Sequence, residues 1–383
     1  MKIFLLHRIH SDIRSSCSIL ASTSALLFFI FHSPAAIFPD NPETKLPAHS
    51  TAKNAVPYKK IGVPVLSYHS VYSDKTAEKL EDPFVIGKTA FKAQIEFLKK
   101  NKYKSISLQE FYDFLNGKKY FYPPFKPILI TFDDGWKNFY TNAYPVLNQN
   151  HYAAVLFIYP SATGYSEFLN WKELQKIKRS GHEIEGHGFS HEFLHNMSKE
   201  EQLGEFKNIQ NSIRTKLKHD VKWIAYPYGV FNHHSQEALV KSGYLGAFTV
   251  FSGENLPGQN LFSINRYLVI RKDSMQDFEK KLSIRSLLIE DLNPAQGSVL
   301  KKSDTITVKL KGTYLKNQLN VFIGGKFINR NKKVKFTYSE KTGQIKINIP
   351  YRNKSEFIVV NITAFQKGIE KEISLLYLSE VSK

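Results

Sequence analysis

Between residues 61 and 284, short apolar runs alternate with segments whose apolar residues recur every three or four positions. The short runs over 63–68, 128–132, 153–158, 182–185 and 222–226 look like buried strands. The segments 89–101, 138–149, 171–180, 199–217 and 233–242 carry helical spacing. Strands that alternate with helices over so long a stretch predict a parallel sheet or barrel. After residue 284 the period changes from helical to two. Ile306/Val308/Leu310, Leu319/Val321/Ile323, Val334/Phe336/Tyr338, Ile345/Ile347/Ile349, Phe357/Val359 and Ile373/Leu375/Tyr377 alternate with polar residues. Turn residues such as Gly324-Gly325 and Thr342-Gly343 separate them, so a small β-sandwich is expected.

The first sixty residues follow neither pattern. Lys2, Arg8 and Arg14 precede an apolar run over 19–31, and Ser33-Pro34-Ala35-Ala36 follows it. That order predicts an export signal over 1–38, either cleaved or retained as an anchor, because the run falls short of the roughly 20 residues of a membrane span. Pro39, Pro42, Pro47 and Pro57 among polar residues give 39–60 the composition of a linker. The expected organisation is a signal segment (1–38), a linker (39–60), a barrel domain (61–284) and a β-sandwich (285–383). Cys17 is the single cysteine and falls inside the signal segment. An exported chain without it has no disulfide, so core packing and a bound metal are the remaining means of holding the fold.

Charge narrows the surroundings. The 383 residues contain 53 Lys and Arg against 34 Asp and Glu, a net charge of +19. Removing residues 1–38 leaves +17, so the basicity belongs to the folded part. An exported protein seldom meets nucleic acid, and no RNP, zinc-finger or helix-turn-helix pattern occurs, so nucleic acid is not expected as a partner. Residues 285–383 carry 18 basic and 8 acidic residues, which suits an anionic envelope surface as a partner of the last domain.

Four segments carry candidate chemistry. Pro127-Ile-Leu-Ile-Thr-Phe-Asp133-Asp134-Gly135 is an apolar strand ending in two carboxylates, which a parallel α/β fold places at the carboxyl edge of its sheet, where sites are built. Adjacent carboxylates on an extended chain point apart, so one can ligate a metal while the other faces water as a base. His187 and His191 are four apart, a spacing that on a helical turn would let both grip one divalent ion. His187, like Asp134, follows a short expected strand, so two strand ends offer one Asp and two His, a facial triad with open positions. Tyr226-Pro227-Tyr228-Gly229 follows a third strand and fixes a tight loop whose backbone N–H can point into a site. His69 ends the first strand.

The ordered set Tyr68-His69, Thr131-Phe-Asp-Asp-Gly135, Gly181-His-Glu-Ile184 with His187-x-x-x-His191, and Tyr226-Pro-Tyr-Gly229 resembles the polysaccharide deacetylases, carbohydrate esterase family four. The resemblance covers residues 61–271 and is most similar to the deacetylases of poly-β-1,6-N-acetylglucosamine. It implies a distorted (β/α)7 barrel, here followed by an immunoglobulin-like sandwich, and metal-dependent removal of N-acetyl groups from an amino-sugar polymer. Asp134, His187 and His191 would hold Zn²⁺ or a similar ion. Asp133 would be the base, and the oxyanion would meet the backbone N–H of Tyr228, beside Pro227.

The chain departs from the family pattern at three points. Gly188 stands where Ser or Thr commonly follows the first histidine of the pair. Ala225 stands where an arginine commonly restrains the base, and Arg266 is the expected substitute. The late Leu-x-His motif of the general acid has no counterpart, since no histidine follows His234, so His69 becomes the candidate proton donor. Peptidoglycan, chitin oligomers or an O-acetyl ester are alternative substrates. A carbohydrate-binding protein that has lost turnover is the rival of another class.

Overall fold

The computed structural model describes residues 62–301, 304–324, 332–349 and 357–379. The expected signal segment, the linker and Cys17 lie outside the described residues. Among the described residues no helix is long and apolar enough to cross a membrane.

The first layer of the fold is an eight-stranded parallel sheet, in which Tyr103–Ser105 pairs with the start of Lys126–Asp134 and the other seven strands form one continuous path. These seven are β1 (Val65–Tyr68), β2 (Lys126–Asp134), β3 (Val155–Ile158), β4 (Glu183–Gly186), β5 (Trp223–Ala225), β6 (Gly246–Phe248) and β7 (Tyr267–Leu268). Their order is β7-β1-β2-β3-β4-β5-β6. A parallel bridge between Phe248 and Ile264, with the Thr249 N–H donating to the Ile264 carbonyl at 2.8 Å, links β6 to the residues that lead into β7. The sheet thereby curls back towards its first strand as a distorted barrel. Strand β2 is buried from Pro127 to Asp133 because neighbours flank it on both sides and helices cover it, which is why its sequence is continuously apolar.

Helices cover the outside with one apolar stripe each. Phe91, Ile95 and Leu98 are the buried stripe of Lys88–Lys100, and Phe206, Ile209, Ile213 and Leu217 that of Lys199–Leu217. The single helix expected over 138–149 is instead a π-turn over Phe139–Ala143 followed by an α-helix over Tyr144–Gln149. Pro145 has no N–H for the Thr141 carbonyl, so the chain widens there. Two helices absent from the sequence reading, Leu108–Leu115 and Met275–Ser283, begin at Ser107 and Ser274, each with a reciprocal cap to the acid three residues on.

The remaining residues form two β-sheets. One contains Ile289–Asn293, Thr305–Leu310, Gln344–Asn348 and Thr337–Ser339. The other contains Leu319–Gly324, Phe357–Gln366 and Ile369–Ser379, with short strands at its edges, two of them parallel to Ile369–Ser379. Ile306, Val308, Val321, Ile345, Ile347 and Val360 meet between them. The expected alternation fails at Phe357/Val359. Ile358, Val360 and Ile362 face the sandwich, while Val359, with Leu376 and Leu378 of the adjacent strand, packs into the barrel's own apolar cluster. This sheet is apolar on both faces because it is covered on both, so a period of two could not say which face was which.

Candidate active site

Asp133 and Asp134 leave the end of β2 in different directions because the backbone turns left-handed there. Asp134 has φ +71°, and Gly135 follows at φ +74°. A Cβ on Gly135 would lie 2.9 Å from Cγ2 of Ile158, so only glycine lets the turn lie against β3.

Asp133 points into the barrel and is buried. Arg266 meets it with both terminal nitrogens, Nη1 to Oδ1 and Nη2 to Oδ2, each at 2.7 Å. The guanidinium is completely buried, and two of its three other donors are used: Nε to the Thr249 carbonyl at 2.6 Å and Nη1 to Oγ1 of Thr131 at 3.1 Å. Burial pushes the Asp133 pKa up, but Arg266, with His187 and His69, outweighs it and holds the carboxyl below its ordinary range. Asp133 is therefore ionised at neutral pH. Arg266 comes from the segment that completes the barrel, far in sequence from the Tyr226-Pro227-Tyr228-Gly229 turn.

Asp134 faces the histidines. Its Oδ1 lies 3.4 Å from Nε2 of His187 and 3.1 Å from Nε2 of His191, and its Oδ2 accepts from Nε1 of Trp136 at 2.8 Å. The spacing of the two histidines suggested a helical turn, but the structure corrects this. His187 is the first residue after β4, and the chain from 187 to 193 is a loop in which Gly188 (φ +72°) and His191 (φ +62°) are left-handed. The loop folds His191 back over the edge of the barrel, between the rings of Tyr159 and Tyr228, each 4.8 Å away.

The donor set fits a divalent cation. Nδ1 of His187 lies 2.8 Å from the Ala225 carbonyl, which can only accept, so Nδ1 carries a proton and in the neutral ring the Nε2 lone pair faces Asp134. A lone pair and a carboxylate oxygen that face each other repel unless a cation lies between them. Asp134, His187 and His191 are the one group among the described residues whose ligand atoms all lie within 4.8 Å of one another. Burial pushes the His187 pKa down, yet the two aspartates raise it overall, as expected where a positive charge is wanted. Burial lowers that of His191.

The other sequence candidates gather around this centre. Nε2 of His69 is 4.0 Å from Oδ2 of Asp133, its ring is stacked on Phe84 at 4.7 Å, and its side chain is 16% exposed. Pro227 is buried, and Tyr228 has φ +59°. That turn uses the N–H groups of Gly229 and Val230 for its own hydrogen bonds, to Tyr226 and Pro227. The Tyr228 ring lies on Phe193 at 3.9 Å, and burial pushes its phenol up to about 12. His195 is half-buried with its ring edge-on to Phe193.

Sequence reasoning missed Trp136 as a partner of Asp134, Thr131 and Thr249 as partners of Arg266, and Glu205, which binds the histidine loop. For Trp136 a signal existed, since an indole two residues after a strand-end aspartate can reach it. Thr249 contributes a backbone carbonyl, which no residue type announces.

The fold agrees with comparisons to known proteins. Residues 122–247, about a third of the chain, match the family model described as polysaccharide deacetylase. The chain is 26% identical over 247 residues, 60% of its length and 83% of the relative's, to the poly-beta-1,6-N-acetyl-D-glucosamine N-deacetylase of Staphylococcus aureus (strain MRSA252). Its fold is shared with the Streptococcus pyogenes deacetylase PplD in complex with acetate (TM-score 0.54, 24% identity, 58% of this chain and 99% of that one). IcaB from Ammonifex degensii is similar to the same degree (TM-score 0.52, 24% identity, 58% and 97%).

Proposed function

We propose that the chain is an exported, metal-dependent N-deacetylase of an acetylated amino-sugar polymer of the poly-β-1,6-N-acetylglucosamine type. The observation that carries this reading is the convergence of Asp134 Oδ1, His187 Nε2 and His191 Nε2 beside a second carboxylate, Asp133, clamped by Arg266. A divalent ion held by one carboxylate and two imidazoles, zinc by preference, supplies a Lewis acid and a water ionisable near neutral pH.

The chain's own residues do the rest. Asp133 accepts the proton of the attacking water, and Arg266 keeps it ionised and fixes its plane. The backbone N–H of Tyr228 meets the developing oxyanion, with Pro227 setting the turn. His69, close to Asp133 and open to solvent on one side, gives the proton that lets the amine leave. The barrel domain over 61–284 carries this chemistry. The sheets over 285–383, of immunoglobulin-like type, hold the enzyme through their basic charge to an anionic envelope surface, with residues 1–38 as the export signal or anchor. The staphylococcal relative's named substrate supports the choice of polymer.

The test is acetate release from poly-β-1,6-N-acetylglucosamine by the zinc-loaded protein. Release should stop with chelator and fall at least about 10³-fold in Asp134→Asn, the scale of losing a catalytic metal's ligand. Release only from chitin oligomers, peptidoglycan or O-acetyl esters would replace the substrate. Tight polymer binding with no acetate from any of them would replace the enzyme with a binding protein.

A further inference from the structure

The loop that carries His187 and His191 has no side chain at its second residue. Gly188 is left-handed at φ +72°, and a Cβ there would lie 2.9 Å from Cγ of Pro227, so the turn that bears Tyr228 closes the space a side chain would need. A side chain at this position therefore has no room, and the loop's polar groups must be held from elsewhere.

They are held from the helix Lys199–Leu217. Gly186, the last residue of β4, has Cγ2 of Ile209 only 2.8 Å from where its Cβ would be, so the absence of a side chain lets this helix settle directly on the strand end. Glu205 lies four residues before Ile209, on the same face one turn nearer the loop. Its Oε2 accepts from the Phe189 N–H at 2.7 Å and from the Ser190 N–H at 3.0 Å. The same oxygen is 3.6 Å from the Cβ position of Gly188, so it occupies the side of the loop that a residue-188 side chain would have filled.

We propose that Glu205 is a positioning residue for the metal site. It fixes the His187–His191 loop with a charge-assisted pair of hydrogen bonds, in place of the side chain absent at position 188. Two glycines make this possible: Gly186 admits the helix, and Gly188 admits Pro227. The inference rests on the reading of Asp134, His187 and His191 as metal ligands, because its effect is on how well the loop pre-arranges them.

The experiment measures zinc affinity of the metal-free full chain by chelator competition, for the wild type, Glu205→Gln and Glu205→Ala. Partners of ligating residues typically change metal affinity by about 10–100-fold, and that loss is expected for Glu205→Ala. Glu205→Gln keeps an oxygen that can accept both N–H groups but loses the charge, so it should fall between the two. Amide hydrogen exchange, read without metal, should quicken at Phe189 and Ser190 by about tenfold or more in Glu205→Ala. The His187 N–H, bonded to the Ile158 carbonyl at 2.8 Å, should stay protected. Lys207→Ala, on the same helix, should leave affinity unchanged.

Zinc affinity within about threefold of wild type in Glu205→Ala, less than a partner of a ligand would cost, overturns the proposal. So does equal loss of protection throughout the barrel, which would make Glu205 a general stabiliser. A wild type that binds no divalent ion overturns both this inference and the reading of the site, whereas a wild type that binds zinc but releases no acetate leaves Glu205 in place and removes only the activity.

Discussion

The two edges of the barrel use the same residue types to opposite ends. At the amino edge, Glu185 is buried and its Oε2 accepts from the Lys222 and Trp223 N–H groups, each at 2.9 Å, while Oε1 meets Nε2 of His219 at 2.9 Å. His182, just before β4, accepts from the Ala154 N–H through Nδ1 and meets Asn148 through Nε2. Every acceptor there faces a donor. At the carboxyl edge, Oδ1 of Asp134 and the Nε2 atoms of His187 and His191 converge on one point, and the Nδ1 proton of His187 already goes to the Ala225 carbonyl. Burial and residue type are alike at both edges. What separates a structural acid–histidine network from a candidate metal centre is whether its polar atoms already complete each other.

The contrast can be broken most forcefully at Asp133. Arg266→Ala leaves a buried carboxylate without its partner, so stability should fall by about 3–5 kcal/mol. Burial would then act unopposed, the Asp133 pKa would rise, and the acid limb of the rate profile would move to higher pH. Denaturant melts together with a kcat–pH profile check both, and an unmoved profile would remove Arg266 from the control of the base.

Glu185→Ala is the counter-experiment at the other edge. It strands the buried Trp223 N–H and a part-buried N–H at Lys222 and should cost about 3 kcal/mol of stability. Zinc affinity per folded molecule should remain that of the wild type. A large loss of affinity without loss of stability would erase the distinction between the edges.

The last effect, of similar size, is a pH dependence. Burial pushes the His182 pKa down to about 4, from an ordinary 6.5. Between those values the unfolded chain takes up a proton that the folded chain refuses. This contribution is therefore complete above pH 6.5 and is lost as pH falls towards 4, to a total of about 3 kcal/mol. Urea melts from pH 7.5 to 4.5 should show a steeper decline for the wild type than for His182→Gln. Parallel declines would assign the acid sensitivity to other groups.

Legibility differed between elements for physical reasons. Four of the five barrel strands that were readable are mostly apolar because they are buried on both faces, whereas Glu183–Gly186 was placed by its position between two helical segments. Strands β6 and β7, with three and two residues, are too short to carry a pattern, and they are the ones that bring Arg266 home. The caps at Ser107-x-x-Glu110 and Ser274-x-x-Asp277 were present in the sequence and would have announced the two missed helices. In the last domain, Phe357 and Val359 alternate as a strand should. Which face met the sandwich depended on the barrel lying behind them.

The sequence by itself determined the alternation of strands and helices, the change of period near residue 285, and the residue types at three strand ends. These are local properties, written in spacing and in what a buried strand requires. Only the tertiary structure decided that His187 and His191 meet across a left-handed loop instead of along a helix. It also decided that Arg266 spans 133 positions of sequence to hold Asp133, and that Glu205 takes the place closed to residue 188. Each of those depends on a distance between elements, set by close packing at Gly135, Gly186 and Gly188, and local sequence pattern does not carry such distances.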